Sequence, residues 1–341
     1  MVRLVTAAMR EAGFKVVAKT TGSQPVIIDP DGSEREIQRK GPASILEGKH
    51  LLKTAANRGA RALVAEMMSI HPESSFVEST KILKPQVLAI TNVRVDHVAQ
   101  MGSSRDRVAR CLATAISNDM TVLVPEEECL PVFKELTEKY GSQLIRVSTN
   151  REAEDRKPQS LEIEENRRMA LALTDHLGIE RETAIRGMTK AQPDLGATRA
   201  WSLDLGSPRS LWQTVSLFAA NDPESTRTAL SYVMKSGMAS ATPMVGLLNL
   251  RRDRGDRTLQ WVEAIEKDRF PELERLFVIG DHASIVAKKL SARALRGRSP
   301  ERIMEEIARD VVSSATLVGM GNMGGIGKEL VSYWNRVGDQ L

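Results

Sequence analysis

Strand-length runs of apolar residues alternate along this chain with longer segments whose apolar positions recur at helical spacing. That alternation is typical of a parallel β-sheet whose strands are joined by crossover helices. In the first half the pattern predicts a hairpin around 25–37 and strands over 15–21, 61–68, 86–93, 120–126 and 143–148. It predicts helices over 2–12, 44–58, 103–117, 129–141, 162–178 and 180–191.

The second half repeats the alternation, with predicted strands over 210–218, 242–250, 275–281 and 315–320. Its predicted helices cover 223–236, 257–267, 283–291, 300–313 and 326–337. Between the halves, QPDLGATR (192–199) is rich in Pro and Gly and indicates a domain boundary. We therefore expect an α/β protein of two consecutive domains, 1–196 and 197–341, with ligands bound beyond the carboxyl ends of the strands.

Composition and charge exclude several classes of function. The 341 residues carry a formal net charge of +4, but no run of five or more Lys and Arg, and aromatic residues make up 4%. These values speak against a nucleic-acid partner. No apolar stretch approaches the roughly 18 residues of a membrane span. The two cysteines lack the spacing of metal ligands, so reduced thiols and a cytoplasmic location are expected.

Two glycine patterns bear on nucleotide binding. Gly319, Gly321 and Gly324 match GxGxxG between a predicted strand and a predicted helix. A dinucleotide fold needs a further strand that ends in an acidic residue, and Asp339 has the spacing, but only two residues follow it. A tight turn with close packing is the simpler interpretation, while anion binding by the loop amides stays open. The phosphate-binding pattern GxxxxGK[ST] does not occur.

Polar residues follow two strands of the first domain. Glu66 ends an Ala, Leu and Val-rich run, where a carboxylate is costly without a cation or partner. Asn92, Asp96 and His97 follow the next strand. If the two strands are neighbours, Glu66 and His97 converge and can hold Mg²⁺. The alternative stays open, because Mg²⁺ prefers oxygen and a lone histidine more often has a structural role.

Several runs in order resemble one enzyme family. AGFKVVAKTTGSQP, VAEMMSIHPE and ITNVRVDHVAQMG in the first domain, then FAANDPEST and LLNLRRDRGDRTLQW in the second, resemble the ligase subunit of poly-γ-glutamate (capsule) synthases, which belong to the Mur ligase superfamily. The resemblance implies a Mur-ligase-like central ATP-binding domain followed by a smaller Rossmann-like domain. It implies an ATP- and Mg²⁺-dependent ligase that forms γ-glutamyl bonds through an acyl phosphate. Implied partners are glutamate or a γ-glutamyl chain and small membrane subunits that hold the chain at the inner membrane face.

The resemblance also implies roles for first-domain residues. Glu66 and His97 match metal ligands. Asn92 lies on the nucleotide side, and Asp96 orients its loop. The remaining three, expected in catalysis and around the acceptor carboxylate, are Lys19, Thr20 and Thr21.

In the second domain the resemblance covers two loops. Asn221 and Asp222 stand where Mur ligases carry an Asp…His-Asn-Pro motif, although Asp222 before a proline is also a typical helix N-cap. Arg251, Arg252 and Asp253 follow a strand, where arginines can clamp phosphate or carboxylate groups. A solvated charged loop is the alternative for these three. The second domain is expected to close over the site and exclude water.

Two departures from the family pattern affect the interpretation. Val2-Arg3-Leu4 resembles the residues directly after the family's phosphate loop, so the chain is expected to begin just downstream of that loop. Many Mur ligases use a carbamylated lysine after the histidine, but no lysine occurs between Lys84 and Lys134. Besides the ligase, two alternatives are kept: a catalytically silent scaffold subunit of the same complex, and another Mur-type ligase such as a folate polyglutamylating enzyme.

Overall fold

The computed structural model describes residues 1–22, 25–39, 41, 43–148, 161–192, 198–204, 211–238, 243–311 and 314–341. They form two compact units, the first ending before residue 194 and the second running from there to residue 341. The predicted boundary 192–199 lies largely outside the described residues. Both units combine parallel strands with covering helices, which confirms the predicted α/β class.

The first sheet of the first unit has the strand order β3-β2-β1-β4. Its strands are β1 (Val16–Lys19), β2 (Val26–Ile28), β3 (Glu34–Glu36) and β4 (Ala62–Ala65). β1 is central, antiparallel to β2 and parallel to β4. The predicted hairpin is confirmed as β2 and β3, joined by a turn in which the Gly32 amide donates to the Asp29 carbonyl at 2.8 Å. Gly32 has φ +89°, a conformation that favours glycine.

A second sheet of the same unit contains three parallel strands. They are β5 (Val87–Ala89), β6 (Thr121–Pro125) and β7 (Gln143–Val147), in that order. The expectation that the strands before Glu66 and His97 are neighbours is wrong for the described residues, because β4 is hydrogen-bonded to β1 alone and β5 to β6 alone. Strand adjacency is a long-range property, and two runs that are consecutive in sequence need not pair.

One helix packs on both sheets of the first unit. On α7 (Leu161–His176), Met169 lies in a buried cluster with Leu123 of β6, while Ala170 and Leu171 lie in another cluster with Val16 of β1. The other helices of this unit are α1 (Val2–Glu11), α2 (Glu47–Asn57), α3 (Pro72–Val77), α4 (Val98–Met101), α5 (Arg105–Ala113), α6 (Pro131–Lys139) and α8 (Arg181–Met188). The shared helix explains how two separate sheets form one compact unit.

The second unit is built on one seven-stranded sheet of order β12-β11-β10-β13-β9-β8-β14. Its strands are β8 (Arg199–Asp204), β9 (Leu211–Ser216), β10 (Met244–Leu250), β11 (Arg275–Gly280), β12 (Arg293–Ala294), β13 (Thr316–Gly321) and β14 (Asp339–Gln340). Pairing is parallel from β12 to β9, whereas β8 runs antiparallel to β9 and β14 antiparallel to β8. The antiparallel edge was not predicted: Arg199, Ser202 and Asp204 interrupt the apolar run of β8, and β14 has only two residues, both polar.

Helices cover both faces of this sheet. They are α9 (Pro223–Ser236), α10 (Gly255–Glu266), α11 (Ala283–Lys289), α12 (Pro300–Asp310) and α13 (Ile326–Val337). One face is filled by Trp201, Phe218 and Trp334. The ring centroids of Trp201 and Phe218 each lie 5.9 Å from the ring centroid of Trp334. The tight fit leaves no room for a side chain at Gly319 in β13, where an added Cβ would lie 2.5 Å from the Phe218 ring.

Two helical segments after β4 were not predicted. α3 is followed directly by a π-helical turn, Glu78–Leu83, that contains buried Glu78 and Ser79. Buried polar residues interrupt the apolar periodicity from which a helix is predicted. No helix of the described residues is both long and apolar enough to cross a membrane.

We expect Gly319→Ala to destabilise the second unit by about 1–3 kcal/mol, because the new methyl overpacks the Phe218 and Trp334 contact. All four tryptophans of the chain lie in this unit, so tryptophan fluorescence during urea unfolding reports on it selectively. Gly255→Ala, which places a methyl in open space at the first residue of α10, is the control and should change stability by less than about 0.5 kcal/mol. Equal stability of the two variants would contradict the packing argument.

Candidate functional site

The ends of β1 and β4 bring four predicted residues of the first unit together. The strands are parallel with Lys19 opposite Ala65, so both chains leave the sheet at the same edge. The Glu66 amide donates to the Lys19 carbonyl at 2.9 Å, and the Thr21 amide donates to Glu66 Oε2 at 2.7 Å. Thr20 is buried, and its hydroxyl oxygen accepts from the Val26 amide at 3.2 Å. Lys19, Thr20, Thr21 and Glu66 therefore form one connected group.

The Glu66 side chain has the properties of a cation ligand. It is exposed, and only Oε2 accepts a hydrogen bond within the described residues. No described Lys or Arg lies within ion-pair distance of its carboxylate, which leaves Oε1 open. A carboxylate oxygen without a protein partner is the kind of donor that Mg²⁺ prefers. Glu66 therefore fits the Mg²⁺ ion that the resemblance implies, but one residue supplies only part of a coordination shell.

The loop after β5 carries the other predicted residues of this unit. His97 has φ +49° and stands at the N-cap of α4. Its amide donates to Asp96 Oδ1 at 2.8 Å, and its Nε2 lies 3.7 Å from Asp96 Oδ2. Asp96 therefore contacts both the backbone and the side chain of His97, and its role in orienting this loop stays a prediction. Asn92 is exposed earlier in the same loop.

Among the described residues, no group of three or more His, Cys, Asp or Glu side chains is arranged to hold a metal ion. Glu66 and His97 are attached to different sheets, and each was expected to supply one ligand. The metal assignment of this pair therefore stays a prediction.

A buried carboxylate that the sequence did not single out fixes the loop beyond Glu66. Glu78 in the π-helical turn is 2% exposed. Its carboxylate accepts from the amides of Met68 and Ser69, the latter at 3.0 Å, and from the Ser69 hydroxyl. Three donors satisfy this buried carboxylate. No pattern in the sequence distinguishes Glu78 from a surface glutamate, because its burial depends on tertiary packing.

In the second unit, the predicted arginines lie at the carboxyl end of β10. Arg251 makes a two-pronged contact with Asp253, at 2.9 Å from Nε and 2.8 Å from Nη2. The Arg252 amide donates to Asp281 Oδ2 at 2.8 Å. Arg251 is also close to Gly324, where an added Cβ would lie 2.2 Å from its Nη1. Arg251 and Asp253 are therefore held as a pair, and Asp281 holds the backbone between them.

Two asparagines missed by the sequence interpretation join the loops at this edge. Asn249 in β10 is 1% exposed and donates from Nδ2 to the carbonyls of Asn322 and Gly324, at 2.6 and 3.1 Å. Asn322 donates back from Nδ2 to the Asn249 carbonyl at 3.1 Å. These bonds tie the end of β10 to the loop after β13. The sequence signal for Asn249 is an Asn inside an otherwise apolar strand, whereas Asn322 follows the end of β13.

The GxGxxG match corresponds to close packing. Gly319 lies within β13 against aromatic rings, so it is not part of a binding loop. Gly321 has φ +87°, and a Cβ there would lie 2.5 Å from the Asn249 carbonyl oxygen. The predicted close packing is confirmed at both positions, and Gly321, with its positive φ at the end of β13, fits the predicted turn.

The other predicted loop of the second unit forms a helix start. Asp222 is the N-cap of α9 and accepts from the Ser225 amide at 2.9 Å, with Pro223 at the first helical position. Asn221 has φ +52°, and its carbonyl accepts from Trp261 Nε1 at 3.0 Å. The N-cap interpretation of Asp222 is thereby confirmed, whereas a nucleotide contact by either residue stays a prediction.

Comparisons with known proteins match both halves of the chain. The profile of the Mur ligase middle domain matches residues 2–197, and that of the poly-gamma-glutamate synthase CapB C-terminal domain matches residues 203–337. The chain is 31% identical to "PGA synthase CapB" of Bacillus subtilis (strain 168), over 96% of this chain and 85% of that protein. It is also 31% identical to "Capsule biosynthesis protein CapB" of Bacillus anthracis, over 96% of this chain and 72% of that protein.

The fold of this chain is also similar to that of solved structures. The bifunctional folylpolyglutamate synthase/dihydrofolate synthase from Yersinia pestis, solved with AMPPNP and a Mn ion, has a TM-score of 0.67 at 14% identity. The match covers 97% of this chain and 84% of that one. At this identity the likeness concerns the fold alone.

We expect Glu78→Gln to speed hydrogen exchange at the Met68 and Ser69 amides by about tenfold or more, because the weaker amide acceptor replaces a carboxylate that takes three hydrogen bonds. Hydrogen exchange followed by mass spectrometry measures this. Glu73→Gln on α3 removes an exposed carboxylate nearby and should leave these amides unchanged. Identical exchange in wild type and Glu78→Gln would show that Glu78 does not hold the loop.

Proposed function

This chain belongs to the Mur ligase family, as a member with the C-terminal domain of poly-γ-glutamate synthase, and from that premise we propose that it forms γ-glutamyl amide bonds at the expense of ATP. The observation that carries the proposal is the match of both halves of the chain to this family. The group at the ends of β1 and β4 agrees with it, since it places an ammonium, a hydroxyl and an open carboxylate at one edge of a sheet.

The proposed reaction has two steps. A carboxylate of the growing γ-glutamyl chain attacks the γ-phosphorus of ATP, and ADP leaves, which gives an acyl phosphate. The amine of an incoming glutamate then attacks the acyl carbon and loses a proton, and inorganic phosphate leaves. In phosphoryl transfer the protein mainly positions the reactants and stabilises the charge that develops on oxygen.

Each predicted residue of the first unit has a proposed role. Glu66 and His97 would hold a Mg²⁺ ion, which would supply neutralisation of the phosphate charge. Lys19, with Thr20 and Thr21 beside it, holds the acceptor carboxylate, for which its ammonium supplies a charge-assisted hydrogen bond. The loop after β5 contributes Asn92 and Asp96 on the nucleotide side.

In the second unit, the paired Arg251 and Asp253, with Arg252, are proposed to contact a carboxylate or phosphate group. Because Asp253 already occupies two donors of Arg251, an incoming anion competes with it or uses the remaining donors. Asn221 and Asp222 are proposed to contribute to the nucleotide side through the backbone at the start of α9.

The proposed partners are inferred from the relatives, one of which is a capsule biosynthesis protein. They are glutamate or a γ-glutamyl chain and small membrane subunits, which would hold the chain at the inner face of the membrane. Co-purification of this chain with membranes only when those subunits are co-expressed would support that part of the proposal.

We expect Glu66→Gln and His97→Gln each to lower Mg²⁺-dependent ATP turnover by at least about 100-fold, since the first removes the negative charge and the second the imidazole proposed to bind the metal. Phosphate release, with mass spectrometry of γ-glutamyl products, measures the reaction. A titration with Mn²⁺ followed by electron paramagnetic resonance measures metal binding separately from turnover.

Glu73→Gln and His71→Gln are matched controls, because both residues are exposed at the start of α3. Wild-type turnover in Glu66→Gln or His97→Gln would remove these metal assignments. A wild-type chain that binds Mg-ATP in calorimetry without ever turning it over would instead favour the scaffold subunit.

A further inference from the structure

A buried ammonium lies at the end of β1. Lys19 is 3% exposed, although lysine is rarely buried without a partner. Its Nζ lies 3.2 Å from Glu47 Oε2, in the first turn of α2. The partner thus comes from a different element, 28 residues further along the chain, and fixes the direction of the lysine side chain.

The same carboxylate also binds an arginine. Arg39 donates from Nε to Glu47 Oε1 at 2.8 Å and from Nη2 to Oε2 at 3.1 Å. The position of Glu47 at the N-terminus of α2 adds the favourable end of the helix dipole. Burial alone would raise the pKa of Glu47, but Arg39 and Lys19 together hold that pKa below its usual value. Glu47 therefore stays ionised and keeps both cations in place.

The cluster of Lys19, Glu47 and Arg39 has two positive charges and one negative charge. No other carboxylate of the described residues lies within ion-pair distance of Lys19 or Arg39. A second cluster in the same unit has the same ratio, with Asp29 between Arg35 and Arg58. There, both arginine side chains are about half exposed, at 48% and 52%, so water solvates the extra charge. The Lys19 side chain is 4% exposed and lacks this solvation.

Stability gives a weak reason for a buried charge cluster, because apolar side chains of similar size usually serve as well. An excess of one positive charge beside a strand end is, however, suited to an anion. Glu47 also keeps the Lys19 ammonium away from Glu66. The Glu66 amide donates to the Lys19 carbonyl, so the two residues are neighbours, yet the ammonium pairs with Glu47 and one carboxylate oxygen of Glu66 stays open.

We propose that Glu47 and Arg39 are positioning residues that hold the Lys19 ammonium at the end of β1 to bind the carboxylate of the γ-glutamyl acceptor. This inference rests on the proposed function. It assigns to Glu47 the choice of partner for Lys19: the ammonium is directed to Glu47 and the substrate anion, and away from Glu66.

The test uses Glu47→Gln in the full chain, with a short synthetic γ-glutamyl peptide as acceptor. We expect the KM for this acceptor to rise about tenfold, the size of one lost charge-assisted contact, while the KM for ATP changes less than about twofold. Arg39→Gln should raise the acceptor KM by a smaller factor. Glu47→Asp, which keeps the negative charge, should raise it less than Glu47→Gln does. Arg35→Gln is the matched control, since it breaks a two-pronged arginine contact in the same unit that does not involve Lys19.

A second measurement does not depend on activity. Acetylation of Lys19 at one fixed pH, followed by peptide mass spectrometry, should be about fivefold faster or more in Glu47→Gln, because the lysine loses the contact that keeps it buried, and unchanged in Arg35→Gln. An unchanged acetylation rate, or an equal rise of both KM values, would overturn the inference. A wild-type chain that ligates no glutamate would refute the proposed function instead, and the acetylation result would still decide whether Glu47 holds Lys19.

Discussion

The parallel pairing of β1 with β4 decides where the charged groups of the first unit lie. With Lys19 opposite Ala65, the next residues of both strands leave the sheet at one edge, and the Thr21 amide reaches the Glu66 carboxylate. A slip of one residue would turn every side chain of β4 to the opposite face. The position of Glu66 is thus set by the apolar pattern of its strand, and the Glu78 carboxylate fixes the next part of the chain.

The second unit uses side-chain amides for the same purpose. β10 and β13 are parallel neighbours with Asn249 opposite Gly321, and both chains turn away from the sheet there. Asn249 and Asn322 bind each other's backbone, so carbonyl groups that have left the sheet still find donors. Gly321 permits this approach, since a side chain would collide with the Asn249 carbonyl. Arg251 directly follows β10 at this edge of the sheet.

The periodicity of apolar residues predicted most strands and helices within a few residues, because their core faces are continuous. α9 agrees with its predicted range, since Asp222 and Pro223 mark its start and Gly237 its end. The adjacency of β4 and β5 was wrong, because sequence order does not determine which strands pair. Glu66 was recognisable as a carboxylate ending an apolar run. Glu47, Glu78 and Arg39 were not, because only the tertiary fold pairs them or buries them.

The charges of Lys19, Glu47 and Glu66 must be balanced at the ends of β1 and β4. A carboxylate that is to bind a divalent cation must not be neutralised by a nearby lysine, yet Lys19 and Glu66 are joined through their backbone. Glu47 resolves the conflict by binding the Lys19 ammonium at 3.2 Å, while the Thr21 amide, an uncharged donor, orients Glu66. Opposite charges can then stay separate at one edge of the sheet, as the proposed metal and acceptor roles require. An ion pair between Lys19 and Glu66 would cancel both, and the edge would have little attraction for either a metal or a carboxylate.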